Sequence, residues 1–387
     1  MNSEQPTSET RCFSWGITMS EPIKILHVLG GLDLGGAEAF VMNLYRTIDR
    51  SEIQFDFVVH SEKTFHYEEE IKELGGRILR VPRFTGINII PYIRAWRRLF
   101  KNRPAYSIVH GHIGSSAAIY LWVAKRFGLT TVAHSHGAGN TRDLKGFMYS
   151  VFAYPTRFVA DYFLGCSMAA GISRYGKRVA RSPRFRLALN AIDLAPLRYD
   201  ETIRTNTRKE LELETKVVVG HIGRFDPLKN HSFLLAVFKE FLALEPNAHL
   251  LLVGDGEERP RIEGAIERLS LRKHVSLLGF RSDIPRLLMA MDLFLFPSIS
   301  EGLGISLIEA QGTGLASLAS DSVPSEVKIT DLVHFLSLKE PPKKWAKTLH
   351  SLIDEAPRHD RTEDLRSHGY DVITASKELE AWYLTIG

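Results

Sequence analysis

The sequence predicts an α/β protein built from two doubly wound parallel-sheet domains. Three observations carry this. Short apolar runs of strand length alternate with amphipathic helical segments, the pattern of βαβ units. The alternation occurs twice, first from Lys24 and again from Val217. Several strands also run straight into glycine-rich turns that open a helix, the form of a ligand loop at the carboxyl edge of a sheet. The length of 387 residues suits about two or three domains. A hydrophobic content of 44% and a charged content of 24% are those of a globular protein.

In the first series, residues 24–29 read as a buried strand. The turn Gly30-Gly31-Leu-Asp-Leu-Gly35-Gly36-Ala-Glu38 follows and opens a helix carrying Phe40, Val41, Leu44 and Tyr45. It lacks the GxGxxG spacing of a dinucleotide site. Residues 55–59, 77–81, 107–110, 131–134, 162–167 and 187–193 read as the remaining strands of this half. His110, His112, His134 and His136 stand at the carboxyl ends of two of them, where open α/β sheets bind ligands. Residues 92–101 form an amphipathic helix, with Ile93, Trp96, Leu99 and Phe100 on one face and Arg94, Arg97, Arg98 and Lys101 off it. Arg174, Lys177, Arg178, Arg181, Arg184 and Arg186 make a second basic stretch. Such segments are solvated faces or docking surfaces for an anionic membrane. No helix-turn-helix, RNP or zinc signature accompanies them, so nucleic acid is not an expected partner. The polar run 198–215 reads as the linker.

The second series has strands at 217–223, 249–254, 275–280, 293–296, 315–321 and 333–336. Its first strand ends in Gly223-Arg224, followed by Lys229-Asn230. Arg224 and Lys229 supply two positive charges, one a planar fork and one a point charge, matching a diphosphate. Asp255 and Glu257 flank Gly256 in a turn and do not read as a metal pair. The strand at 293–296 stops at Pro297, and Glu301-Gly302-Leu303-Gly304-Ile305 leads into a helix bearing Glu309. Gly302 and Gly304 let a ligand approach the backbone. The free amides of residues 303–306 and the positive helix end suit a phosphate. Glu301 and Glu309, seven residues apart, suit the hydroxyls of a sugar and a ribose, because an ionised carboxylate only accepts hydrogen bonds. These features fit a nucleotide sugar. Residues 371–383 read as a terminal amphipathic helix.

The Glu-x7-Glu element and the Gly-Arg-x4-Lys-Asn loop resemble the retaining GT-B glycosyltransferases of group 1 (family 4), and the likeness runs from about Lys24 to Tyr383. The resemblance implies a GT-B fold, two Rossmann-like domains facing a cleft, with the terminal helix crossing back onto the first. It implies that Glu301 meets the transferred sugar, Glu309 the ribose, Arg224 and Lys229 the diphosphate, and that Gly223, Gly302, Leu303, Gly304 and Ile305 line the donor. Gly35 and Gly36 match the first loop facing donor and acceptor, and His136 matches the cleft histidine that touches the sugar or orients the acceptor. The segment Gly279-Phe280-Arg281 matches the edge that packs the nucleobase. Ala191 stands where the family has glycine in an Asn-Gly-Ile-Asp element, so a positive φ is not expected there.

The implied activity is metal-independent transfer from a nucleotide diphosphate sugar, with a UDP-sugar the expected donor, to a glycan or lipid-linked acceptor in bacterial surface polysaccharide synthesis. The alternatives are a GT-B nucleotide-sugar epimerase and a non-catalytic sugar-nucleotide-binding subunit. The expected domains are 19–195 with the terminal helix 371–387 on the acceptor side, and 196–370 on the donor side. Residues 1–18 are expected to be a disordered or mis-annotated extension before Met19, having no apolar segment of a secretory signal. Two cysteines, Cys12 and Cys166, give no disulfide framework. A cytoplasmic location is expected, with docking on the inner face of the cell membrane through the basic segments.

Overall fold

The computed structural model describes residues 21–33, 35–102, 106–137, 150–353 and 358–387. The expectation for residues 1–18, with Cys12 and Met19, lies outside them.

Two parallel sheets form. The first holds β1 (Ile23–Val28), β2 (Ile53–Val59), β3 (Ile78–Arg80), β4 (Tyr106–Gly111), β5 (Thr130–Ser135), β6 (Tyr162–Gly165) and β7 (Phe185–Leu187) in the order β3-β2-β1-β4-β5-β6-β7. The second holds β8 (Val217–Ile222), β9 (Ala248–Val253), β10 (Val275–Leu277), β11 (Leu293–Phe296), β12 (Ser317–Ser320) and β13 (Val333–Leu336) in the order β10-β9-β8-β11-β12-β13. The winding reverses between β1 and β4 and between β8 and β11. A crevice opens beyond the carboxyl ends of the strands at such a reversal, and ligands bind there. Central strands such as β11, buried at all four residues, have helices on both faces and so read as unbroken apolar runs.

The basic helix Ile89–Asn102 buries Tyr92, Trp96 and Phe100 and leaves Arg94, Arg97 and Arg98 exposed. The terminal helix Val372–Ile386 is capped by Asp371, whose carboxylate accepts from Thr374 N at 3.2 Å. It packs on the helix Gly36–Thr47 and places Leu379 and Tyr383 in the first domain's core. The chain thus passes between the domains twice. At the passage Ile192 pairs with Asp371 in an isolated parallel bridge, with Ile192 N donating to Tyr370 O and Val372 N to Ile192 O.

Two expectations are corrected. The strand expected at 187–193 is the edge strand Phe185–Leu187. Its pairing with β6 ends when Ala188 N donates to Gly165 O, and the chain then leaves the sheet to reach Ile192. The run 198–215 is not a linker: Glu201–Glu210 is a helix capped by Asp200. Arg204 and Arg208 on this helix pair with Asp292 and donate to the carbonyls of Met289, Ala290 and Met291. These two arginines are spent inside the second domain, while Glu201, Lys209 and Glu210 face solvent.

Candidate active site

One wall of the candidate site is assembled at the reversal between β8 and β11. At the end of β8, Gly223 has room for no side chain without crowding His221 Nε2 and the Lys229 stem, both 3.2 Å from a built Cβ. Arg224 follows, exposed to the cleft. Asp226 accepts from the amides of Leu228 (2.9 Å) and Lys229 (3.2 Å) and so fixes a short turn. Asn230 ends that turn in the left-handed conformation, φ 58° and ψ 42°, which asparagine tolerates better than most residues. Its side chain donates to Pro297 O at 3.2 Å and so joins this turn to the end of β11.

This joint brings Lys229 against Glu301. Lys229 Nζ donates to Glu301 Oε1 at 2.6 Å and lies 5.2 Å from the centre of the Phe296 ring. Gly304 caps the helix Ile305–Gly312 with φ 86°, a backbone that favours glycine. No side chain caps that end, and the first-turn amides of a helix have no intrahelical acceptor. Ser306 Oγ donates to Ile222 O at 3.0 Å and pins this end beside β8. Leu303 is buried, and Ile305 is half-buried. One turn on, Glu309 is half-buried with neither ion pair nor hydrogen bond to its carboxylate among the described residues. Burial pushes its carboxyl up to about 7. Gly279 has φ 67°, and the Phe280 ring beyond it is 64% exposed, so its face is open to stacking.

The opposite wall comes from the first domain. Gly35 ends the extended turn after β1, and the Glu38 carboxylate folds back over it. Burial raises the Glu38 pKa, while its own backbone amide and Arg224 across the cleft pull it down. Gly36 opens the helix, with Asn190 Nδ2 the nearest atom, 4.0 Å from a built Cβ. The two walls meet at Gly302: a Cβ there would stand 2.6 Å from the carbonyl oxygen of His136.

His136 presents its main chain to that joint and turns its imidazole into a histidine stack. His136 Nε2 shares a hydrogen bond with His112 Nδ1 at 2.7 Å, and His112 Nε2 another with His27 Nδ1 at 2.9 Å. His110 Nδ1 lies 2.6 Å from the Tyr383 hydroxyl. The His134 and His136 rings are 4.0 Å apart. Burial pushes His136 down to about 3 and holds the other four well below the usual imidazole range, so all five are neutral.

Of the residues singled out from the sequence, Arg224, Lys229, Glu301, Glu309 and the glycine loops are gathered on the cleft, and His136 enters it through its carbonyl. His27 was missed. Its only signal was a polar residue inside the apolar run of β1. Asp255 pairs with Arg259 at 2.6 Å and accepts from Gly256 N, as a turn residue. Ala191 is not among the positive-φ residues.

The model of the glycosyl transferases group 1 matches residues 203–370, and that of the glycosyl transferase 4-like domain matches residues 35–190. The putative glycosyltransferase EpsF of Bacillus subtilis (strain 168) is 33% identical over 90% of this chain and 93% of its own. The chain belongs to the group 1 glycosyltransferases. The chain is also similar to the capsular polysaccharide biosynthesis glycosyltransferase CapH of Staphylococcus aureus, 24% identical over 94% of this chain and 99% of that protein. The crystal structure of Anabaena HepE in complex with UDP and glucose shares the fold, with a TM-score of 0.78 at 18% identity over 94% of this chain and 99% of that one. This group 1 glycosyltransferase therefore has the GT-B architecture of two Rossmann-like domains.

Proposed function

We propose that this glycosyltransferase moves a sugar from a nucleotide diphosphate sugar, a UDP-sugar, to an acceptor hydroxyl with retention of configuration. The observation that carries the reading is the convergence of the Lys229–Glu301 pair, Arg224 and an uncapped helix end at one sheet reversal, with the unpaired carboxyl of Glu309 one turn further on. The bond from the anomeric carbon to the diphosphate oxygen breaks, and a new bond to the acceptor oxygen forms on the same face. The acceptor proton goes to the departing diphosphate. Arg224, Lys229 and the amides at 303–306 stabilise the charge that builds on the leaving oxygen, the largest contribution available to such a site. No metal is needed for that step. Glu301 holds the sugar hydroxyls, Glu309 the ribose, and His136 with Gly35 and Gly36 lines the acceptor side. Phe280 packs the base.

The names of the relatives, EpsF and CapH, support a role in bacterial surface polysaccharide synthesis, and the UDP complex of HepE supports the donor class. Docking on an anionic membrane fits exposed Arg94, Arg97 and Arg98 and the exposed rings of Tyr154 and Phe158 beside Lys177 and Arg178. Among the described residues no helix is long and apolar enough to cross a membrane. Sedimentation with anionic vesicles should therefore depend on salt, and equal binding to neutral vesicles would remove this part of the proposal.

The deciding experiment is heat protection by UDP-, GDP- and ADP-sugars with EDTA present. A donor at about 100 times its dissociation constant adds about 2.7 kcal/mol. One nucleotide sugar should raise the melting temperature of the wild type and fail to do so in Glu309→Ala. Lys229→Ala should still bind donor but transfer at least about 100-fold more slowly. Wild-type behaviour in both variants would overturn the site.

A further inference from the structure

Five imidazoles are packed together under the cleft, at the carboxyl ends of β1, β4 and β5. Neutral imidazole has one donor and one acceptor nitrogen, and a buried ring normally satisfies both. In this stack the account does not close. His134 has neither ring nitrogen bonded, His27 Nε2 and His110 Nε2 are also buried without a partner, and His136 Nδ1 has only the neighbouring Asn190 side chain. Packing alone gives no reason for β4 and β5 to aim imidazoles, rather than apolar rings, at one point. The nitrogens do converge: one from each of His112, His134 and His136 lie within 4.8 Å of one another.

We propose that His112, His134 and His136 bind a divalent transition-metal ion, of which Zn²⁺ is the representative. Three neutral imidazoles with no carboxylate are the donor set for Zn²⁺, Co²⁺, Ni²⁺ or Cu²⁺, whereas Mg²⁺ and Ca²⁺ demand oxygen. His112 Nδ1 and His136 Nε2, now 2.7 Å apart around a shared proton, are the pair that an ion would part and bridge. His134 supplies the third nitrogen, and a fourth position is left for an exchangeable ligand.

The surroundings support this set over the second triad, His27, His110 and His112. There, His110 Nδ1 already faces the Tyr383 hydroxyl at 2.6 Å and His27 Nδ1 already meets His112. With the ion on His112 Nδ1, the Nε2–H of His112 donates to His27 Nδ1, the outer partner that metal-bound histidines usually have. The Asn190 side chain lies beside the His136 ring and is placed to serve His136 in the same way. The ion fixes the His136 backbone where it meets Gly302. Leaving-group stabilisation stays with Arg224 and Lys229, and the ion is read directly by retention and spectrum rather than through transfer.

The test uses the full chain without a histidine tag. After stripping with EDTA and reloading with Zn²⁺, desalted wild type should keep about one equivalent and melt roughly 5 °C higher or more. Co²⁺ should give the intense visible bands of a four-coordinate site. His134→Gln should lose all three properties. His249→Gln, on β9 in the other domain, should keep them. Retention below about 0.1 equivalent with no thermal shift would overturn the proposal, as would unchanged retention in His134→Gln. If His134→Gln does not fold, the Co²⁺ spectrum of the wild type decides, because weak six-coordinate bands mean surface binding and reject the site.

Discussion

Gly302 and Glu309 are the residues whose behaviour should separate cleft chemistry from fold stability. Gly302 needs no unusual backbone, so alanine fits its own loop. The added methyl instead presses on the His136 carbonyl across the cleft. Gly302→Ala should lower transfer at least about tenfold while the melting temperature shifts little, because the clash is relieved by parting the walls. A variant that loses stability instead would show that the contact belongs to the fold. Glu309 titrates with a definite sign. Burial holds its folded pKa above the ordinary carboxyl value, so this group binds more protons folded than unfolded between about 4.5 and 7. The contribution of Glu309 to the stability of the free protein should therefore fall as pH rises through that window, by about 1–3 kcal/mol, read as the difference between wild type and Glu309→Gln, because the buried neutral histidines make total stability rise over the same range. Donor affinity should run the other way, rising towards pH 8, because ribose hydroxyls bond best to the ionised carboxylate. Melting curves at pH 5.5 and 8, with and without donor, check both signs.

At the scale of elements, the helix Ile284–Ala290 ends in an arginine cage. Arg204, Arg208 and Arg358 all donate to its last carbonyls, where the helix dipole is negative, and Asp292 is the carboxylate paired with Arg204 and Arg208. Burial lowers Arg358 to about 9, with Arg204 adding to the effect. Asp292→Asn should cost about 3–5 kcal/mol, since it leaves guanidinium groups partly buried without their counter-charge. Urea denaturation followed in the second domain measures it. This cage also marks where sequence reasoning stopped. Strands such as β11 and β13 were legible because apolar runs bounded by proline, aspartate or glycine have one interpretation in a parallel sheet. The helix Glu201–Glu210 was not, because ten mostly polar residues look solvated unless the carbonyls they reach are known. The carboxylates, Arg224 and Lys229 were legible from spacing to two loops. Their contact was not, because Asn230 joins those loops through Pro297, far off in the chain.

The whole molecule closes through its last helix. Leu379 and Tyr383 complete a core whose other members lie almost wholly between Ile23 and Leu164. Leu379→Ala should cost about 2–4 kcal/mol and speed hydrogen exchange in β1 and β2, leaving β8 and β11 at the wild-type rate. Equal loss in both sheets would mean that the domains unfold as one unit. The two passages of chain between the domains run side by side, joined by the bridge between Ile192 and Asp371. A single tether would leave the second domain free to swivel. Two adjacent straps act as a hinge pin: the walls part by rotation about one line, and the gap grows with distance from it. Ligands are then expected to enter from the edge farthest from Ile192, through the gap that opens as Gly302 moves off His136.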